Sequence, residues 1–385
     1  MNVIVIGAGI VGASIAYYLS RAGARVTVVE RRKPGAGTSG ASTAYVNAVL
    51  KRPEHYHRFS RLGVEAYDRL EEDLGPDSGI GPRGALHWPG SMPGGLRTFD
   101  RTLAELEEWD YPHEVITPAQ AAEIEPYVQV RDHSGPVLYL PNEPWVEGET
   151  LAQTLCERAV DAGARLMDSC SVIEITTSGG RVTGVDSSLG VVAGDWVIVA
   201  AGVSSVGLLA PLGYRLPVGR TVGVLAVLHP PSPLLNGVVY PGAYHCRPTE
   251  DGGLMIGSDD FDALADPDTD TSKPPSWLYG LRDVAARDIR GLDSLPIEEF
   301  RIGLRPMPTD GLPMIGPVPG IEGLYAAVMH SGITLAAIVG STVAEEVMGS
   351  KDVRALENYR LDRLMSLEGS GVFSKRTRKG CPSHF

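Results

Sequence analysis

The chain has 385 residues, an apolar content of 43%, a charged content of 21% and a formal charge of −13. That composition is ordinary for a soluble globular enzyme with room for two intertwined domains. The acidic balance argues against nucleic acid or an anionic membrane as a partner, because both select basic surfaces. Cys156, Cys170, Cys246 and Cys381 show neither metal-ligand spacing nor a disulfide framework, so a reducing, cytoplasmic setting is expected.

Val3 to Ile6 form a β-branched apolar run suited to a buried parallel strand. Gly7, Gly9 and Gly12 follow in G-x-G-x-x-G order with Ile10 and Val11 between them. The first glycine serves a tight turn, the second lets backbone approach a pyrophosphate, and the third lets helix and strand pack closely. A helix from Val11 to Ala22 aims its N-terminal N–H groups at the phosphates, and Gly23 stops it. Arg25 to Val29 make a second strand ending at Glu30, about 20 residues beyond the fingerprint, where an acid accepts hydrogen bonds from an adenosine ribose. Strand, helix, strand and acid in register predict a dinucleotide site. The uncharged stretch Val3 to Leu19 does not read as a membrane span or leader, given its glycines, the lack of a basic residue ahead of it and the lack of a small-residue cleavage site.

The Gly/Ser/Thr-rich connection from Arg31 to Ala48 is too long for a simple turn and reads as a ligand-covering loop. Helices are predicted over Arg58–Leu74, Leu103–Trp109 and Pro118–Ile124, the last capped by Thr117 with Pro118 at its first position. Gly148–Ala162 is a further helix, followed by strands over Arg165–Val172, Val172–Thr177 and Arg181–Val185. Trp196–Ala200 is a buried strand running into Ala201-Gly202, where small residues let a flat ligand lie near backbone. Strands dominate from Leu216 to Gly257, and Asp259 to Pro275 reads as an exposed acidic loop. A helix over Trp277–Asp288, strands over Ile297–Leu304 and Leu324–Val328, and an apolar helix over Gly332–Met348 complete the chain. The whole predicts an α/β dinucleotide domain interrupted twice by a sheet-rich second domain. The basic tail, 371–385, is expected to be disordered.

Four segments resemble the FAD-dependent amino-acid oxidase and dehydrogenase family, which includes glycine oxidase, monomeric sarcosine oxidase and D-amino-acid oxidase and dehydrogenase. They are the N-terminal fingerprint, VIVAAG (Val197 to Gly202), GLRPMPTDGLPMIGP (Gly303 to Pro317) and GLYAAVMHSGITLAAIVG (Gly323 to Gly340). The resemblance implies a Rossmann-type FAD-binding domain built from 1–80, 147–215 and 301–370, with a substrate domain from 81–146 and 216–300 inserted discontinuously. It places Gly7, Gly9, Ile10, Val11, Gly12, Glu30 and Arg31 on the adenosine and pyrophosphate half of FAD, with Val172 meeting the adenine through its backbone. Thr38, Ser39, Ala41, Ser42, Thr43 and Asn47 would line the isoalloxazine, with Ala201 and Gly202 beside the cofactor. Gly332, Ile333, Thr334 and Leu335 would start a helix facing the flavin N1–C2=O edge, where a helix N-terminus favours the negative charge of the reduced ring. His330 and Ser331 then serve either through their side chains or only as a turn and cap.

By the same resemblance Arg305 pairs with the substrate carboxylate, a role that suits a planar guanidinium; the competing role is bracing the loop that follows. Tyr244, in AYHCRP, is the matching tyrosine whose hydroxyl meets the carboxylate, with Tyr240 competing for the position. His245 and Arg247 could face the substrate or solvent. Two departures matter. Met255 occupies the place of the lysine by which sarcosine oxidases assist oxygen, and no cysteine lies between Cys246 and Cys381, so FAD is expected to be non-covalent. The implied reaction is oxidation of the Cα–N bond of an amino acid or small amine to an imine that hydrolyses to a 2-oxo acid. Oxygen, a quinone or a partner flavoprotein could take the electrons. A larger amino-acid-derived substrate, a partner-dependent flavoprotein subunit and a homo-oligomer also stay open.

Overall fold

The computed structural model describes residues 1–89, 95–131, 135–350 and 353–364; the tail 371–385 and Cys381 lie outside them. The first strands in chain order are β1 (Asn2–Ile6), β2 (Arg25–Val29), β3 (Ile80–His87), β4 (Glu114–Ile116), β5 (Val137–Val146) and β6 (Arg165–Met167). They are followed by β7 (Val172–Ser178), β8 (Arg181–Ser187), β9 (Gly190–Ala193), β10 (Trp196–Val199), β11 (Val218–Leu228) and β12 (Val238–Tyr240). The last are β13 (His245–Pro248), β14 (Leu254–Gly257), β15 (Glu299–Pro308), β16 (Met314–Pro317) and β17 (Leu324–Val328). The helices are α1 (Ile10–Arg21), α2 (Glu54–Leu74), α3 (Gly95–Glu108), α4 (Pro118–Ile124) and α5 (Gly148–Asp161). After them come α6 (Ser205–Leu209), α7 (Asp259–Asp262), α8 (Leu278–Ala285) and α9 (Gly332–Val347).

The strands form a six-stranded sheet in the order β16-β17-β10-β1-β2-β6, an eight-stranded sheet in the order β15-β11-β14-β13-β12-β3-β5-β4, and a small sheet β7-β8-β9. β1 lies between β2 and β10, parallel to both. Covered on both faces, it is apolar and buried from Val3 to Ile6 rather than alternating. Gly7 turns the chain out of β1 at φ +99°, and a Cβ there would stand 2.7 Å from the carbonyl oxygen of Ala200. That conformation and that approach to β10 both require glycine. Helix α1 then packs on α9, where the Ser14 hydroxyl donates to the Ala336 carbonyl at 2.7 Å.

The larger sheet is two-faced, and its faces follow the period of two. Along β11 and β15, Val224, Ala226, Phe300 and Ile302 point to a second core that includes Leu278 and Leu281 of α8. Arg301, Gly303 and Arg305 alternate onto the opposite side. β15 stays paired with β11 as far as Pro308, so within the 301–370 span expected for the FAD-binding domain the chain passes from the larger sheet to the six-stranded one after this strand.

Most predicted elements occur close to their expected bounds. The Thr117 cap forms as a reciprocal box with Gln120. Helix α2 begins about a turn earlier than expected, after Pro53, and α3 is longer than its apolar core signalled. The expected exposed loop from Asp259 to Pro275 is wrong at its start: Asp259–Asp262 is a helical turn, and Asp262 is buried.

Glu125 is a buried carboxylate just after α4, accepting from the N–H groups of Asn236 at 3.0 Å and Gly237 at 2.7 Å. Burial raises its pKa to about 7 against the bonds from Asn236 and Gly237. In the unfolded chain it ionises near the usual carboxylate value, so stability falls as the pH rises from about 4.5 to about 7. Thermal melts of Glu125→Gln should gain on the parent between pH 5 and pH 8, by on the order of 2 kcal/mol. A pH-independent difference would contradict the assignment.

Candidate active site

A cavity of about 1430 Å³ runs from the N-terminus of α1, past the loop 35–47, to the N-terminus of α9 and the β11–β15 wall. Small-molecule sites commonly occupy roughly 300–1,000 Å³, so there is space for a long ligand and a second small one. At one end lie Gly7, Gly9, Ile10 and Val11, with Glu30, Arg31 and Val172 around them. The Glu30 carboxylate is oriented by the N–H groups of Ala8 at 2.8 Å and Arg32 at 2.9 Å. Ser39 accepts the N–H of Ile10 at 3.0 Å, tying the long loop to the start of α1. Ala201 and Gly202 line the cavity just past the end of β10.

Midway, Thr38, Ala41, Ser42, Thr43 and Asn47 line the cavity, and the loop is held from both sides. Thr38 donates to the Leu304 carbonyl at 2.7 Å. Thr43 is gripped by β13: its hydroxyl meets His245 Nδ1 at 2.9 Å, and its carbonyl accepts from Arg247 Nε at 2.5 Å. Arg247 faces neither substrate nor solvent. It is 1% exposed, bonded to Glu147 at 2.8 Å and stacked over Trp145 at 5.0 Å.

At the far end Gly332, Ile333 and Thr334 open α9 onto the cavity, and the first-turn N–H groups of a helix lack intrahelical acceptors. Lys51, buried and cavity-lining, donates to the Ser331 hydroxyl at 3.1 Å, and Tyr56 donates to the same oxygen at 2.8 Å. Burial lowers the Lys51 pKa to about 8, partly offset by Glu143. Burial, with Lys51 and Arg305 adding to it, brings His330 down to about 3. His245 falls to about 4, chiefly through burial, so both imidazoles are neutral at pH 7. Tyr240 stacks at 5.0 Å on His87 and at 6.0 Å on His245, which puts its ring on the cavity wall.

Arg305 projects from β15 onto this end. Its Nη2 donates to the Val222 carbonyl at 2.7 Å and to the Asp262 carboxylate, and Nη1 lies 3.5 Å from Asp259. Its Nε is buried without a hydrogen-bond partner.

Three expected site residues stand off the cavity wall. Tyr244 is the main correction. It shares a face with Cys246 and Val239 in the second core, because alternation along β13 sends His245 toward the cavity and Tyr244 away from it. Leu335 is fully buried, and its N–H is taken by the Ser331 carbonyl at 3.0 Å. Gly12 is turned toward Gly7 and the Ala200 side chain, filling the close helix–strand contact. Sequence reasoning missed Lys51, Tyr45, Asp259 and Asp262. Lys51 lies only four residues beyond Asn47, but nothing in its local pattern marks it as buried. Met255 is fully buried beside Leu225 and Val227 and does not line the cavity.

The family model described as FAD dependent oxidoreductase matches residues 2–346. The chain belongs to that family. It is an FAD-dependent oxidoreductase. Glycine oxidase of Pseudomonas aeruginosa is 29% identical, over 91% of this chain and 96% of its own. D-amino acid dehydrogenase of Bradyrhizobium diazoefficiens is 27% identical, over 92% of this chain and 98% of its own. The crystal structure of glycine oxidase from Geobacillus kaustophilus superposes with a TM-score of 0.83 at 24% identity, covering 93% of this chain and 97% of that one.

The cavity of this oxidoreductase suits FAD on its own terms. It is long enough for a dinucleotide, it begins at a glycine turn with a helix N-terminus and a fixed carboxylate, and it ends at a second helix N-terminus. Between them Asn47 Oδ1 is buried without a hydrogen-bond partner, an acceptor suited to a ligand N–H.

Three outcomes check this site. Gly7→Ala should lose FAD during purification, read from the flavin absorbance per chain, because strain and the Ala200 contact move the phosphate turn. Tyr244→Phe should leave kcat and KM within about twofold of the parent, since removing a hydroxyl that does not line the cavity is a small change. Tyr240→Phe should raise KM by more than Tyr244→Phe does.

Proposed function

We propose that this flavoenzyme oxidises the Cα–N bond of an amino acid or small secondary amine whose carboxylate is held by Arg305. The observation that carries this reading is Arg305 itself. A guanidinium with a buried, unpartnered Nε stands on the wall of the same cavity that ends at the α9 N-terminus. The named relatives, a glycine oxidase and a D-amino acid dehydrogenase, support an amino-acid substrate.

FAD, when bound non-covalently, supplies acceptance of two electrons and of the hydrogen lost from Cα. The residues of the chain bind, orient and set charge. Arg305 gives the carboxylate charge-assisted hydrogen bonds, fixing where Cα lies. Lys51 and the α9 N-terminus make this end of the cavity electropositive, which lowers the proton affinity of a substrate ammonium and favours the neutral amine. The same field favours negative charge on a bound ring. His245 and Tyr240 form an uncharged wall beside the substrate. Once the imine leaves the site, water hydrolyses it to a 2-oxo acid and ammonia or an amine.

A dehydrogenase that hands its electrons to a quinone or another flavoprotein is the second reading, supported by the Bradyrhizobium relative. Stopped-flow mixing of the reduced enzyme with air separates the two: rapid reoxidation marks an oxidase, and sluggish reoxidation marks a dehydrogenase.

Glycine, sarcosine, proline and D-amino acids, offered under nitrogen, should include at least one compound that bleaches the flavin. With that substrate Arg305→Met should retain FAD yet lower kcat/KM by about 10- to 100-fold, the value of a charge-assisted pair. Unchanged kcat/KM would remove the carboxylate role.

A further inference from the structure

We infer that Asp262 is the positioning residue for Arg305: it clamps Nη2 against β11 and leaves Nη1 to meet the substrate carboxylate. This rests on the reading of Arg305 as the carboxylate-binding group. The clamp starts from an accident of strand length. Antiparallel pairing of β14 with β11 runs from Leu228 back to Leu225 and stops there, because the chain leaves β14 at Gly257 and turns through Ser258 into α7. Residues of β11 beyond that point keep polar groups on an edge that no strand covers. Val224 N–H donates to Asp262 Oδ1 at 2.6 Å, and the Val222 carbonyl accepts from Arg305 Nη2 at 2.7 Å. Asp262 Oδ2 then closes the ring by accepting from the same Nη2. One acid and one arginine thus complete the edge of β11 while fixing each other.

The backbone beneath is shaped for this. Gly223 lies under the guanidinium, so close that a Cβ there would be 3.2 Å from Nε and 3.3 Å from Cζ. Arg305 therefore lies flat on bare main chain, and its long side chain loses its rotamer freedom in folding rather than at substrate binding. Asp262 is 9% exposed and cannot give way to an incoming carboxylate without orphaning the Val224 N–H. Asp259, its side chain 43% exposed and 3.5 Å from Nη1, is the acid that a substrate carboxylate displaces.

The holoenzyme and its Asp262→Asn, Asp262→Glu and Arg305→Met variants are titrated with acetate and benzoate by flavin absorbance. The amino acid that best bleaches the flavin is then used for steady-state kinetics. Asp262→Asn should weaken carboxylate binding and raise KM by about tenfold, with kcat within about threefold and flavin content unchanged. Asp262→Glu, keeping the charge with one more methylene, should recover part of the loss. If Asp262→Asn binds carboxylates as well as or better than the parent while Arg305→Met does not, the positioning role is overturned and the reading of Arg305 stands. Should Asp262→Asn fail to fold, Asp262→Glu decides, and parental affinity in that variant overturns the role. Carboxylate binding that is absent in the parent, or unmoved by Arg305→Met, overturns both.

Discussion

The antiparallel pairing of β11 with β15 governs the site. Ten consecutive register pairs, from Val218 with Pro308 to Val227 with Glu299, leave each side chain of β15 a single choice of face. Apolar Phe300 and Ile302 go to the second core, so Arg301, Gly303 and Arg305 must go to the cavity. Slipping the register by one residue would exchange the two sets and bury a guanidinium among leucines. The hydrophobic partition on one side of the sheet is thus what aims the polar chemistry on the other. Gly303, between the two arginines, lets the loop carbonyl of Ala41 come close, with 2.8 Å available to a hypothetical Cβ.

Burial then sets the electrostatics. Burial leaves the imidazoles of His245 and His330 neutral at pH 7 and lowers the Lys51 pKa as well, while the Asp262 carboxylate lies against the Arg305 guanidinium. Glu143, fully buried behind the loop, accepts from Tyr111 at 2.8 Å and from the N–H groups of Ala48 and Val49 at 2.8 and 3.1 Å. Tyr45 adds a further bond to the same carboxylate. A buried charge is tolerated where donors surround it. Glu143 holds the end of the ligand-covering loop in this way, as the buried Arg247–Glu147 pair holds its middle.

Local sequence carried the elements whose physics is local. The glycine turn of β1 into α1, the Thr117 box and the long apolar helix α9 each need only near neighbours to be recognised. Most of the cofactor-side cavity was legible because it follows from those elements and from the family resemblance at Gly303–Pro317 and Gly323–Gly340. The substrate side was less so. Tyr244 and His245 are adjacent, and a shift of one residue in the face of β13 decides which of them meets the cavity. The acidic run after β14 read as solvent-exposed because charge is ordinarily solvated, yet Asp262 is drawn in by an uncovered amide on β11 and by Arg305.

By itself the sequence determined an α/β chain with a dinucleotide turn at its start, a flavin-type helix near its end and Arg305 as the candidate substrate anchor. The first rests on spacing and motif chemistry, and the other two on the family resemblance of Gly323–Gly340 and Gly303–Pro317, all within short stretches of chain. Tertiary structure alone decided that Tyr244 turns inward, that Lys51 reaches the Ser331 hydroxyl, and that Asp262 locks Arg305 to β11. Each depends on segments far apart in sequence meeting in space, and so on pairing and packing that no local pattern encodes.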